Sequence, residues 1–192
     1  VTHYASYVLQ RPAVMITASH TPPEYNGMKI MKSGGLDLES QEIQRLATML
    51  EGRPAEKRGV VRVADALSRY MDYMSGRFGE LGLSAGFDPA NAAGVVLKPL
   101  LKKVFQKVVA INDVPDGRFP AHLPDPEKAE NLQQLRALVK ENNLDVGIAL
   151  DGDCDRVGLV TARGEIFRPE KIVYALGNYL AKPGDVVVLD VT

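Results

Sequence analysis

The sequence predicts an α/β protein, with mixed, largely parallel sheets carrying helices on both faces. Short apolar runs that read as strands alternate with amphipathic stretches of helical spacing. Alternation at these lengths favours strands joined by crossover helices. The 192 residues suffice for one complete domain and part of another.

The elements follow in order. "AVMIT" (13–17) reads as a buried strand. "ESQEIQRLATML" (39–50) places Ile43, Leu46, Ala47 and Leu50 at helical spacing, with Gly52 as a stop. "EGRPAEKRG" (51–59) is charged, holds Gly and Pro, and reads as a linker. "GVVRV" (59–63) is expected to be a strand. In "DALSRYMDYMSGRF" (65–78), Leu67, Tyr70, Met71, Met74 and Phe78 share a helix face, and Asp65 is positioned to cap it. Strands are expected at 83–87, 107–111 and 145–150, and helices at 94–106 and 127–142. The second helix carries Leu132, Leu135, Leu138 and Val139. "RVGLVTARGEIF" (156–167) reads as a hairpin turning at Arg163-Gly164. A helix with Pro169 in its first turn and a last strand close the chain. This organisation suggests a complete domain at 57–165, preceded by the tail of one α/β unit (1–56) and followed by the start of another (166–192).

Composition excludes several classes. A net charge of −1 gives no electrostatic case for nucleic acid or an anionic membrane. No run approaches the ~18 apolar residues of a membrane-spanning helix. A single cysteine, Cys154, rules out an internal disulfide and fits a reducing, cytoplasmic compartment. The chain opens without an initiator Met and closes in a strand-like run, so both ends read as cut.

The strongest chemical signal is "IALDGDCDRVGLV" (148–160), where apolar runs bracket Asp151, Asp153, Asp155 and Arg156. Carboxylates this close repel unless solvated, protonated or holding a cation. A turn at Gly152 lets the alternate residues converge, and hard oxygen ligands of this kind suit Mg²⁺. A solvated acidic turn is the plain alternative, against which stand the apolar runs on both sides. An EF-hand loop is excluded, because its sixth and twelfth positions are Arg156 and Ala162 here. Arg156 reads as a surface charge, or as a cation that orients the carboxylates or awaits a phosphate.

The second signal is "ITASHTPPEYNGMK" (16–29). Ser19 lacks the G-x-S-x-G elbow, and by residue type alone a loop serine after a strand is more often structural. Its context adds His20 and Lys29 as donors, and Pro22, Pro23 and Asn26-Gly27 as shape-setting residues. A phosphoserine carries about −1.5 to −2 charge. The three carboxylates alone would repel it. With Mg²⁺ they leave a charge of about −1, which Arg156 and Lys29 offset. Phosphoryl transfer needs such positioning and charge compensation.

These motifs resemble those of the α-D-phosphohexomutases, in the phosphomannomutase/phosphoglucomutase branch. "TASHTPPEYNGMK" resembles their phosphoserine loop, T-x-S-H-N-P followed by Y-N-G-x-K. "DGDCDR" resembles their magnesium loop, D-G-D-x-D-R, and "VPDGRFPAHLPDPEKAENL" (114–132) is similar to their connecting segment. The resemblance implies the second half of domain 1, all of domain 2 and the opening of domain 3 of a four-domain enzyme. It implies that Ser19 is phosphorylated and that Mg²⁺ is bound by Asp151, Asp153, Asp155 and the phosphorylated Ser19. His20, Lys29 and Arg156 would line the transfer site, with Lys29 as candidate acid–base. The implied substrates are hexose phosphate and hexose 1,6-bisphosphate, interconverted between the 1- and 6-phosphates. The sugar-selecting loop would lie after Thr192. Thr21 departs from the family's usual Asn, and "FDPANAAG" (87–94) is a loose version of a Gly-rich turn.

Two other readings stay open at this level. In a haloacid-dehalogenase-type phosphatase Asp151 would be the nucleophile, although the third Asp and the Ser19 loop fit it poorly. A non-catalytic metal-binding fragment is the other. Cys154 reads as a small filler, His3 and His122 as structural or surface residues, and Met71 and Met74 as core.

Overall fold

A computed structural model describes residues 1–49 and 59–186. It comprises two compact units, Val1–Thr17 with Asn26–Arg77, and Ala18–Tyr25 with Phe78–Thr192. Residues 51–58 of the linker expected at 51–59, with Leu50, Gly52 and the last strand beyond residue 186, lie outside the described residues.

The first unit holds α1 (Thr2–Leu9), β1 (Ala13–Ile16), β2 (Met28–Met31), α2 (Ser40–Met49) and most of α3 (Ala66–Phe78). β1 and β2 pair antiparallel, Met15 opposite Lys29. The expectation of a buried strand at 13–17 fails. Val14 and Ile16 are more than half exposed, because β1 belongs to a two-stranded ribbon. Ser6, by contrast, is buried, with Oγ 2.7 Å from the Arg11 carbonyl and 2.9 Å from that of Lys32. Tyr4 packs on Tyr70 and Tyr73, which ties α1 to α3. Asp65 caps α3 as expected, its Oδ1 accepting from the Ser68 N–H at 3.0 Å.

The strand expected at 59–63 does not form. Val60, Val61 and Val63 are exposed, and these residues have no paired strand. β-propensity alone does not compensate the ordering cost without a neighbour that accepts hydrogen bonds and covers a face.

The second unit is built on a five-stranded sheet in the order β4-β3-β5-β6-β7. Its strands are β3 (Leu81–Asp88), β4 (Phe105–Ala110), β5 (Val146–Leu150), β6 (Val157–Thr161) and β7 (Ile166–Phe167). β3 pairs parallel with β4 and β5, whereas β5–β6 and β6–β7 are antiparallel. The hairpin turns where expected. The Gly164 N–H donates to the Thr161 carbonyl at 2.8 Å, with Gly164 at φ 75°.

The helix expected at 94–106 is shorter and composite. A 3-10 turn, Ala93–Leu97, leads into α4 (Lys98–Val104), and β4 starts at Phe105. Pro99 has no N–H and is tolerated only in the first turn, so the α-helix begins beside it. Likewise 127–142 opens with a 3-10 turn, Ala129–Leu132, before α5 (Gln133–Glu141). α6 (Pro169–Leu180) carries Pro169 in its first turn, as expected.

The core lies between α5 and one face of the sheet, where Leu132, Leu135, Val139, Leu144, Ala149 and Val160 cluster. Gly147 permits the close approach. A Cβ there would stand 2.8 Å from Val139 and 2.9 Å from Leu135. Leu150 alternates to the opposite face and lies beneath the 3-10 turn, 3.1 Å from where a Cβ on Gly94 would be. Helical segments therefore cover both faces. Among the described residues, no helix is long and apolar enough to cross a membrane.

Candidate functional site

Parallel β3 and β5 end side by side, with Asp88 opposite Ala149. Loops that leave the carboxyl ends of such strands are where α/β sheets build ligand sites. The loop after β5 carries the three carboxylates. Asp151 is fully buried. Its Oδ1 accepts from the backbone N–H of Asp155 and of Arg156, each at 3.0 Å. One oxygen thus folds the loop back on itself, and the Cys154 N–H to the Asp151 carbonyl (3.2 Å) tightens the turn. Carboxylate oxygens of Asp151, Asp153 and Asp155 come within 4.8 Å of one another, so the convergence expected from the spacing occurs. Burial raises the Asp151 pKa, the Arg156 N–H and the Ser19 hydroxyl oppose it, and the charges of Asp155 and Asp153 add to the rise. A cation among the three would relieve both the burial and the repulsion, so the donor set fits a hard divalent metal.

The Ser19 loop belongs to this same compact unit. Ser19 Oγ donates to Asp151 Oδ2 at 2.9 Å and lies 3.2 Å from His20 Nδ1. Ser19 adopts φ 53°, a left-handed conformation uncommon outside glycine and asparagine. Thr21 holds that turn. Its Oγ1 donates to the Ala18 carbonyl at 2.7 Å, and its N–H reaches the same oxygen at 3.1 Å. Gly152 makes room for it. A Cβ at 152 would fall 2.9 Å from the Ser19 carbonyl carbon and closer still to its oxygen.

Arg156 is placed by its backbone, while its side chain turns to Glu127, with Nη1 3.0 Å from Oε1. Lys29 lies in β2 of the first unit. Cys154 fills space near Gly94, and its thiol is pushed up to about 12 by burial, with the charges of Asp151 and Asp153 adding to it. It is thus a neutral filler rather than a thiolate ligand.

Sequence reasoning missed a second cluster on the neighbouring strand end. Asp88 is fully buried. Its Oδ1 accepts from the Ala90 N–H at 2.9 Å and from Asn112 Nδ2 at 3.1 Å, and its Oδ2 lies 3.0 Å from His122 Nε2. His122 Nδ1 stands 2.9 Å from the Leu123 carbonyl, so both ring nitrogens face acceptors. The hydrogen bond to Asp88 raises the His122 pKa against burial. The available signal was Asp88 itself, an acid before Pro89 at the exit of an apolar strand, in the position Asp151 holds on β5. The two loops are joined, since the Ala93 N–H donates to the Gly152 carbonyl at 3.3 Å.

An α/β domain that presents a hydroxyl against a carboxylate loop at the carboxyl ends of parallel strands has the makings of a phosphoryl-handling protein. Family models sharpen this. The model of phosphoglucomutase/phosphomannomutase alpha/beta/alpha domain I matches residues 1–56, and that of domain II matches residues 65–164. The chain belongs to the phosphoglucomutase/phosphomannomutase family. It is 38% identical to the phosphomannomutase/phosphoglucomutase of Pseudomonas aeruginosa, over 100% of this chain and 42% of that protein. It is 37% identical to the phosphoglucomutase of Neisseria gonorrhoeae, over 93% and 40% respectively. A crystal structure of a phosphoglucomutase/phosphomannomutase family protein from Burkholderia thailandensis superposes with a TM-score of 0.81 at 31% identity, covering 88% of this chain and 37% of that one. The chain thus spans about two fifths of the length of the curated relatives it matches.

Proposed function

We propose that this chain is the phosphoryl-carrying part of a phosphohexomutase that interconverts 1- and 6-phosphates of mannose or glucose. The observation that carries the reading is the 2.9 Å contact between Ser19 Oγ and Asp151 inside a family whose curated members are named mutases. In this reading its domains run 1–56, 57–165 and from 166 onward.

Ser19 is the phosphoryl carrier. The bond from phosphorus to Ser19 Oγ breaks as one forms to a sugar hydroxyl oxygen. The proton of that hydroxyl passes to a base, and Ser19 Oγ recovers one. The product is a hexose 1,6-bisphosphate, whose half-turn lets Ser19 take back the other phosphoryl group. Asp151, Asp153 and Asp155, joined by an oxygen of phosphorylated Ser19, would hold Mg²⁺. That ion supplies charge compensation for the phosphoryl group. Asp151 also fixes the Ser19 rotamer before phosphorylation. His20, close to Oγ, is placed to donate to the phosphoryl group, and Arg156 stands at the loop's end to meet phosphate charge. The acid–base role of Lys29 rests on the Y-N-G-x-K motif at 25–29 alone. A cytoplasmic location follows from the same reading.

The test is to incubate the protein with glucose 1,6-bisphosphate and Mg²⁺ and map any phosphorylated peptide. Hydroxylamine-stable phosphate on Ser19 is expected. Hydroxylamine-labile phosphate on Asp151 would mean a phosphatase of the aspartyl type instead.

A further inference from the structure

We infer that Glu127 is the resting counter-ion of Arg156 and sets how strongly the site binds phosphate, by competing with phosphate for the guanidinium. This deepens the mutase reading and rests on it, because it takes Arg156 as the phosphate-facing cation.

The two residues are brought together by the backbone. Arg156 directly precedes β6, and its N–H is fixed on Asp151 Oδ1. Two residues on, Gly158 lies against Pro126, where a Cβ would stand 2.9 Å from the proline Cβ. Glu127 follows Pro126. Its N–H donates to Oδ1 of Asp125 at 3.3 Å, and Asp125 is itself buried and tied to Asn131, whose Nδ2 donates to the Asp125 carbonyl at 2.8 Å. Glu127 is therefore presented to Arg156 from a fixed backbone, across the strand end that carries the carboxylate loop.

The pair is nonetheless easy to break. It is made through one guanidinium nitrogen, at 3.0 Å, and the two side chains are 37% and 57% exposed. An exposed, single-contact pair of this kind shifts an equilibrium by up to about fivefold. A phosphate can take the same guanidinium through two parallel hydrogen bonds, which is the stronger arrangement. Charge points the same way. A carboxylate beside the phosphate position repels the incoming anion, and its partnership with Arg156 hides a cation the anion would otherwise find. Glu127 thus acts as a positioning residue that holds Arg156 ready but occupied. Phosphate arrival releases the carboxylate to solvent at little cost.

The experiment follows the Arg156 Nε–H resonance by NMR while inorganic phosphate is added with Mg²⁺, in wild type, Glu127→Gln, Arg156→Gln and the double variant. Glu127→Gln is expected to bind phosphate two- to fivefold tighter, with its own Nε–H shift already displaced before phosphate is added. In the Arg156→Gln background, where a backbone amide resonance of the loop reports binding, the same change should have no effect. Unchanged or weaker phosphate binding in Glu127→Gln overturns the inference. So does an equal gain without Arg156, which would mark a general charge effect, and so does the absence of binding in both forms. Ser19 labelling from glucose 1,6-bisphosphate is run on the same samples. Missing label on wild type counts against the mutase reading and leaves the phosphate result to judge Glu127 by itself.

Discussion

Ser19 Oγ and the Asp151 carboxylate meet at 2.9 Å although 132 residues separate them along the chain. The contact requires that the backbone of residue 152 carry no side chain, because the Ser19 carbonyl occupies that space. Gly152→Ala is therefore expected to push the Ser19 loop away from Asp151. Overpacking of this kind costs about 1–3 kcal/mol. Urea unfolding should show the loss, and Ser19 phosphorylation should drop with it. Full labelling at wild-type stability would show that the loop can shift aside freely.

The Thr21 hydroxyl closes the turn on the Ala18 carbonyl. Removing that hydrogen bond with Thr21→Val should cost about 1 kcal/mol. Thr21→Ser, which keeps the hydroxyl, should stay within a few tenths of wild type. Denaturant midpoints of the two variants distinguish a closing hydroxyl from mere filling of space.

If the carboxylate loop holds Mg²⁺, as proposed, the ion should stabilise the fold. At a free Mg²⁺ concentration a hundred times the dissociation constant, binding stabilises the fold by about 2.7 kcal/mol. Adding EDTA should then lower the melting temperature of the wild type. Asp153→Asn and Asp155→Asn should melt at nearly the same temperature with and without the chelator. An EDTA effect that survives both substitutions would place the metal elsewhere.

His122 should make stability depend on pH. Its folded pKa lies above the usual value, chiefly through Asp88. Such a group contributes fully below the unfolded pKa of about 6.5, and the contribution is lost as pH rises through the folded value. His122→Gln should therefore destabilise the fold more at pH 5.5–6 than near pH 9. The gap between wild type and variant should narrow as pH climbs towards 9. A gap constant over that range would mean that the ring is neutral throughout.

Much of this was legible in the residues. Leu132, Leu135 and Val139 recur at helical spacing, and the 3-10 turn and α5 bury them. The alternation in 145–161 and the Arg163-Gly164 turn marked β5, β6 and their hairpin partner. The carboxylates converge because their spacing in a tight turn leaves them little choice. What stayed hidden depended on distant neighbours. Val60 and Val61 have strand propensity, but propensity says nothing about whether a partner strand is there. Pro99 moved a helix start that periodicity alone could not locate. His122 looked like a connector residue because Asp88, which buries it, lies 34 residues away. Arg156 was read as a surface charge or as a cation for the carboxylates or a phosphate, and its side chain meets Glu127, 29 residues distant.

The close approach of the Ser19 carbonyl to Gly152 has a consequence for inheritance. Any lineage that places a side chain at 152 must, in the same step or the next, rebuild the turn that carries Ser19. Two loops read far apart by the ribosome therefore share one set of permitted combinations. Random libraries of both segments, selected for Ser19 phosphorylation, should return their survivors as matched pairs and lose most of the mixed ones.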